Sequence, residues 1–221
     1  MSIGLILLVV TSLLILFGVA QRVLDRLRLS DRAALLFAAL IFIGGLLPDI
    51  PLSPRLSLNI GGALIPLGLC AYLLVRAGTG RERMRALFAS VLTGAAIYAM
   101  GRLLPEEPEQ AFMDYNVLYG LAGGVIAYVL GRSRRSAFVA AILGSILADV
   151  ASAATVWNAG IDQPLSLGGA GALDATVIAG LSAVLLAEFV GEALERASRG
   201  RHRDKSRAFE GGEFRERSRL K

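Results

Sequence analysis

Apolar residues along the chain form seven long runs that short polar segments separate. A helical run of about 20 apolar residues spans the hydrocarbon core of a bilayer. The second and fifth runs hold only about 16 residues, a length that little tilt or local bilayer thinning accommodates. The pattern predicts an all-α fold: a polytopic membrane helix bundle with about seven transmembrane helices. The predicted spans are 3–20, 33–48, 59–75, 86–104, 115–130, 136–157 and 171–192.

Composition and charge agree with this pattern and orient it. Apolar residues make up 55% of the 221 residues, and the mean hydropathy is +0.61. Arginines concentrate in the loops 21–32, 76–85 and 131–135, whereas the alternate loops hold six acidic residues: Asp49, Glu106, Glu107, Glu109, Asp114 and Asp162. Because basic loops stay in the cytoplasm, we expect the N-terminus outside and the C-terminus in the cytoplasm. We therefore expect a multi-pass protein of the cell membrane, with the lipid bilayer as its partner.

The first run raises one alternative. Gly18-Val19-Ala20 has the small-x-small pattern of a signal-peptide cleavage site. No basic segment precedes the run, however, and the run is longer than the apolar region of a typical signal peptide. We therefore expect a membrane span rather than a cleaved leader.

The last residues differ in composition from the rest. Residues 196–221 hold ten Lys or Arg and four acidic residues with little apolar content. Such a segment buries too little surface to fold alone, so we expect a transmembrane domain at 1–195 and a basic disordered cytoplasmic tail at 196–221. Contact with anionic lipid is one use for the tail. A solvated tail that enforces orientation is the other, and we expect no nucleic acid partner.

Two stretches of the sequence echo each other. They are Leu56-Ser57-Leu58-Asn59-Ile60-Gly61-Gly62-Ala63 and Leu165-Ser166-Leu167-Gly168-Gly169-Ala170. Each follows a proline and precedes a long apolar run, and the predicted topology gives both the same orientation. A parallel repeat with Gly- and Pro-interrupted helices is a transporter signature. The helix N-termini at the two Gly-Gly pairs would present backbone N–H groups to an anionic group.

Carboxylates inside the predicted helices are the candidate chemistry. Asp149 lies deep in the sixth run, where a carboxylate costs about 2.5–3.5 kcal/mol on insertion scales. Asp174 lies just inside the seventh helix or caps its start. Asp49 and Asn116 are predicted at a similar outer depth. The predicted substrate- or ion-binding residues are Asp149, Asp174, Gly168, Gly169, Gly171, Asn59, Gly61, Gly62 and Asp114.

Several site classes are excluded by composition. The single Cys70 permits no intramolecular disulfide, and the single His202 lies in the tail. A His-rich metal site and a Ser-His-Asp triad are therefore excluded from the membrane body. No phosphate-binding or dinucleotide-binding Gly-rich motif is present. We expect neither a metal nor a cofactor.

At these residues the chain resembles a known family. Ser166-Leu167-Gly168-Gly169-Ala170-Gly171-Ala172-Leu173-Asp174, together with Ala148-Asp149 and Asn59-Ile60-Gly61-Gly62-Ala63-Leu64-Ile65-Pro66, is similar to the domain-of-unknown-function family 1614. The resemblance covers roughly 40–190. Leu147 and Ala175 stand where the family pattern has glycine. The resemblance implies a polytopic membrane protein of a bacterium or archaeon and names no activity.

Two active roles and one passive role fit these features. The first is a small-solute or ion transporter in which Asp149 and Asp174 bind a cation or carry a proton. The second is an intramembrane aspartyl hydrolase, in which one of these two carboxylates holds a proton and the other activates water. The Gly-x-Gly-Asp motif of such hydrolases is absent, because Asp174 follows Ala172-Leu173. The third is a non-catalytic accessory membrane protein.

Overall fold

The computed structural model describes residues 29–103, 115–131, 133–205, 207–210 and 213–216, together with Ile6. The chain divides into two compact units, Met1–Ala187 and Glu188–Lys221. The first predicted span, 3–20, lies outside the described residues except for Ile6. The predicted domain boundary at residue 195 stays a prediction.

The described residues are mostly helical, as predicted. Each of the last six predicted spans contains one helix. Among the described residues, two helices, α3 and α5, are long and apolar enough to cross a membrane, which suggests a membrane protein. The count of seven spans and the orientation stay predictions. The helices are α1 (Asp31–Gly45), α2 (Ile65–Val75), α3 (Gly80–Leu103), α4 (Tyr115–Gly131), α5 (Arg134–Asn158) and α6 (Ala175–Lys205).

A three-stranded sheet, which an all-α fold does not include, joins the two echoing stretches. Strands β1 (Ile50–Ser53) and β2 (Leu56–Leu58) form an antiparallel hairpin. Strand β3 (Leu165–Leu167) adds to β2 in parallel, so that Ser57 lies opposite Ser166. Equivalent residues of the echo are therefore direct neighbours. The all-α prediction missed this sheet because its strands are only three or four residues long.

Irregular turns follow both echo strands and delay the α-helices. After β2, a π-helical turn spans Ile60–Leu64 before α2 begins. After β3, a 3-10 turn spans Gly171–Leu173, and α6 begins at Ala175. Asp174 therefore lies at the capping position before the helix, which is the second of the two places expected from the sequence, and not inside the helix.

Parts of the basic segment 196–221 have regular secondary structure, and its assignment as a disordered cytoplasmic tail stays a prediction. Helix α6 continues to Lys205, and strands β4 (Arg207–Glu210) and β5 (Glu213–Glu216) form an antiparallel hairpin. In the register of this hairpin, Phe209 lies opposite Phe214. The Gly-Gly dipeptide between the two strands is a hairpin signal in the sequence.

Small residues let the helices of the first unit approach closely. Gly94 of α3 packs on Gly144 of α5, and Gly120 and Gly124 of α4 pack on α6 beside Ile178 and Ser182. Small residues at such crossings are typical of helix packing in membranes, where apolar burial gives no driving force between helices.

Burial on α3 is inverted relative to a helix of a water-soluble protein. Its inward side holds Ala89, Ser90 and Thr93, which are buried. Its outward side holds large apolar residues, among them Phe88 at 65% and Val91 at 59% exposure. A large outward apolar surface around a core of small and polar residues suits a lipid environment.

Candidate functional site

The two predicted aspartates line one cavity. This cavity of about 220 Å³ lies between α3, α4, α5 and the start of α6. One water occupies about 30 Å³ in the liquid, so the space is large enough for several waters or a small organic molecule. Six polar side chains line it: Tyr98, Tyr119, Ser145, Asp149, Ser152 and Asp174.

Asp149 is positioned by α5 and has no partner of its own. Its half-buried carboxylate makes no hydrogen bond or ion pair within the described part of the chain. The charge of Asp174 acts on it across the cavity. A carboxylate in an apolar helix without a partner is costly unless a ligand, proton or water satisfies it. The cavity is the space from which such a partner would come.

Asp174 has a structural task as well as a place in the cavity wall. It is 8% exposed and acts as the N-cap of α6, because its Oδ1 accepts the backbone N–H of Thr176 at 2.9 Å. Its Oδ2 accepts a longer bond, 3.4 Å, from the N–H of Ala170. An N-cap carboxylate satisfies free N–H groups and complements the helix dipole. Hydrogen bonds therefore fix the carboxylate of Asp174, whereas none within the described part of the chain fixes the carboxylate of Asp149.

Hydroxyl groups complete the polar wall. Ser145 is 3% exposed, and its Oγ has no hydrogen-bond partner in the described structure. Tyr98 shares a 3.0 Å hydrogen bond between its hydroxyl and Thr155 Oγ1, which fixes the ring. Ser145 and Ser152 lie four residues before and three after Asp149, so the three share one face of α5. Neither Ser145 nor Ser152 was singled out from the sequence, although their helical spacing from Asp149 can be read there.

Asp149 also borders a second cavity. This smaller space, about 150 Å³, lies between α5 and the loop before β3. Asp149 and Ser152 line both cavities. Gln163 and Leu165 line the second cavity but not the first. The indole N–H of Trp157 donates to the backbone oxygen of Gln163 at 2.7 Å and holds this loop against α5.

A different predicted residue, Asp49, joins the two echoing stretches. Ser57 donates to its Oδ2 at 3.3 Å, Ser166 donates to the same oxygen, and Asn59 Nδ2 donates to Oδ1 at 2.8 Å. The hydrogen bonds from Ser166, Asn59 and Ser57 hold the pKa of the Asp49 carboxyl below its ordinary value. This network lies at the sheet and is separate from the cavity of Asp149.

The remaining predicted residues gather around this sheet. Asn59 is 2% exposed and accepts the N–H of Gly62 at 2.8 Å through its Oδ1. Gly62 packs against the backbone of Gly168, and Gly61 packs against the backbone of α1. These residues do not reach the cavity, and their role in binding stays a prediction.

Two more predicted glycines and one aspartate complete the set. Gly169 and Gly171 donate their N–H groups to Ser166 and Gly168 within the loop. Asp114 lies outside the described residues. The structure thus brings Asp149 and Asp174 together and places the predicted glycines and Asn59 elsewhere.

Comparisons with known proteins identify the family. No curated protein and no solved structure matches the chain. The sequence model of a family described as "Protein of unknown function (DUF1614)" matches residues 47–186, which include both echoing stretches and both aspartates. The match covers more than half of the chain. The chain therefore belongs to the DUF1614 family.

Proposed function

We propose that the protein is a membrane carrier of small cations, with Asp149 as its binding carboxylate. The observation that carries the proposal is the unpartnered Asp149 facing a polar cavity inside a bundle whose outer surface is apolar. Ionisable residues inside membrane bundles mark ion and substrate pathways. The seven-span topology with the C-terminus in the cytoplasm belongs to this proposal.

The interrupted helix at the cavity supports transport. Helix α6 starts at the cavity wall, after the 3-10 turn and the Asp174 cap. Binding sites of many transporters lie where helices are discontinuous. In the matching position of the echo, a π-helical turn follows β2 and runs into α2 without a break. Gly62 of this turn packs against Gly168, which precedes the 3-10 turn.

The two cavities that share Asp149 suggest a route. The smaller cavity is bounded by the loop before β3, which lies on the outer side if the proposed topology holds. A cation that enters beneath this loop would meet Asp149 before it reaches the larger cavity. Asp174, which is fixed by backbone hydrogen bonds, would keep its position in the wall of the larger cavity while the carboxylate of Asp149 binds and releases the cation.

Flux through reconstituted protein tests this proposal. Proteoliposomes of the wild type receive a concentration jump of sodium, potassium or methylammonium, and current on a supported membrane is recorded. We expect wild-type current with at least one probe and loss of most of it in Asp149→Asn, which keeps the shape and removes the charge. Asp162→Asn is the matched control, because Asp162 is exposed and lies outside both cavities. Equal currents in the wild type and Asp149→Asn, or none above empty liposomes, would overturn the proposal.

One observation favours the hydrolase as a second candidate: both aspartates line one cavity. A protonated and an unprotonated carboxylate in one site is the arrangement of aspartyl hydrolysis. The backbone N–H groups that bind both oxygens of Asp174 speak against it, because they occupy the positions that water and a shared proton need. Cleavage of a transmembrane peptide substrate by wild type but not by Asp149→Asn would favour the hydrolase.

A further inference from the structure

We propose that the cation is a small organic ammonium ion, a protonated amine that carries a short apolar group. This inference rests on the proposed carrier function and names the substrate class of the same cavity. It follows from the charge, the hydroxyl groups, the aromatic rings and the apolar part of the cavity wall.

The charge of the wall selects a cation. Among the described residues, two carboxylates, Asp149 and Asp174, line the cavity, and no basic side chain does. No group of three or more His, Cys, Asp or Glu side chains capable of holding a metal ion occurs among the described residues. The donor set therefore offers little to a divalent metal ion, which gathers several charged or oxygen ligands.

The hydroxyl groups suit an ammonium head. A primary ammonium has three N–H donors and no acceptor, so its site must supply several oxygen acceptors. The carboxylate of Asp149 and the hydroxyls of Ser145 and Ser152 lie on one face of α5 and line the cavity. Ser145 is buried and its Oγ has no partner, which is the state expected of a group that a ligand completes.

The aromatic rings in the wall offer cation–π contacts, which favour organic cations over hydrated inorganic ions. Tyr98 lines the cavity, and its ring already accepts a cation, because the guanidinium of Arg102 lies 5.8 Å from the ring centroid. Organic cations bind to aromatic faces in the same way. A second ring, that of Tyr119, lines the same space.

The rest of the wall is apolar. Ile97, Ala148 and Ala175 line the cavity beside the polar groups. A fully hydrated sodium ion gains nothing from such a surface, whereas a short alkyl chain is removed from water there. The volume of about 220 Å³ accommodates a chain of a few carbons with its ammonium head.

Binding of n-butylammonium to the purified full chain tests the inference. Calorimetry compares this probe with n-butanol, which has the chain without the charge, and with sodium, which has the charge without the chain. We expect n-butylammonium to bind more tightly than either. Asp149→Asn should weaken its binding at least about tenfold, because hydrogen bonds to charged groups are the stronger ones.

Variants of the wall separate a site from a general effect on folding. Ser145→Ala removes only an unpaired hydroxyl and should weaken binding of n-butylammonium by about three- to tenfold. Tyr98→Phe keeps the ring and should bind nearly as the wild type, whereas Tyr98→Leu should lose several-fold in affinity. Asp162→Asn serves again as the control and should bind normally.

The outcomes distinguish this inference from the carrier function. If n-butylammonium does not bind, or binds equally to Asp149→Asn, while an Asp149-dependent sodium or potassium current persists, the substrate class is wrong and the carrier function stands. If neither binding nor current depends on Asp149, both proposals fail. Equal affinity for n-butylammonium and n-butanol would indicate apolar partitioning alone and would also overturn the inference.

Discussion

Asp49 gathers three hydrogen bonds from two distant parts of the chain. Ser57 and Asn59 come from the same hairpin, whereas Ser166 lies 117 positions away along the chain. One carboxylate thus joins the two echoing stretches. Because the carboxylate is the acceptor in every bond, its ionisation should matter for stability.

The first prediction concerns this carboxylate and pH. A pKa that is lower in the folded than in the unfolded state contributes stability above the unfolded value, about 3.9 for Asp, and this contribution is lost as pH falls through the folded value. We expect Asp49→Asn to lower the unfolding midpoint at pH 7 by about 2–4 °C, the shift for loss of about one hydrogen bond. Thermal unfolding in detergent at several pH values measures it.

The same experiment contains its control. As pH falls below about 4, the wild type should progressively lose its advantage over Asp49→Asn, and the advantage should vanish below the lowered folded pKa, where the Asp49 carboxylate is itself protonated. Asp162→Asn should not show this convergence. A difference between wild type and Asp49→Asn that stays constant into acid would contradict the role of ionised Asp49.

At this scale the sequence indicated part of the candidate site. A carboxylate in an apolar run is visible without a structure, and Asp149 and Asp174 line one cavity, while their role in binding stays a prediction. The role of Asp49 was not visible, because it depends on a strand pairing between remote residues. Tyr98 was missed for the same reason: it comes from another helix, and no local pattern connects it with Asp149.

At the scale of the elements, the segments that follow β2 and β3 pack against each other through their backbones alone. Gly168 adopts a φ of +69° and packs against the backbone of Gly62 and Ala63. Both features exclude a Cβ, the first by conformation and the second by lack of space. The backbone segments that follow β2 and β3 can approach each other this closely because residue 168 is glycine.

The second prediction separates these two effects. Gly168→Ala should cost about 1–2 kcal/mol for its left-handed conformation and a further 1–3 kcal/mol or so for overpacking. Gly160→Ala is the matched control, because Gly160 has a φ of +78° and open space around it. Chemical unfolding in detergent should rank Gly168→Ala clearly below Gly160→Ala. Equal losses would show that the close contact contributes nothing.

Elements were predicted well where apolar runs are long and poorly where segments are short. The predicted span 136–157 agrees with α5, Arg134–Asn158, to within two residues at either end. The echo was recognised as a repeat, yet its first residues were assigned to loops. A three-residue strand forms because it pairs with a neighbouring strand, and the local sequence does not show which remote segment that neighbour is.

For the molecule as a whole, orientation is the property to test. The third prediction uses single cysteines in a Cys70→Ser background, with Asp162→Cys on the predicted outer side and Ser206→Cys in the C-terminal tail. A membrane-impermeant maleimide should label Asp162→Cys in intact cells and Ser206→Cys only after permeabilisation, because basic segments stay inside. Labelling of Ser206→Cys in intact cells would reverse the topology.

The long separation between β2 and β3 has a consequence for how the chain assembles. Asp49, Ser57 and Asn59 can meet as soon as the first hairpin has been synthesised, but β2 then has an open edge. Leu165–Leu167 arrive only after four more α-helices, α2 to α5, have been made. Contacts of such sequence separation form slowly because the loop entropy is lost before they form. We therefore expect closure of this sheet, and with it the hydrogen bond from Ser166 to Asp49, to be a late step in the folding of this protein.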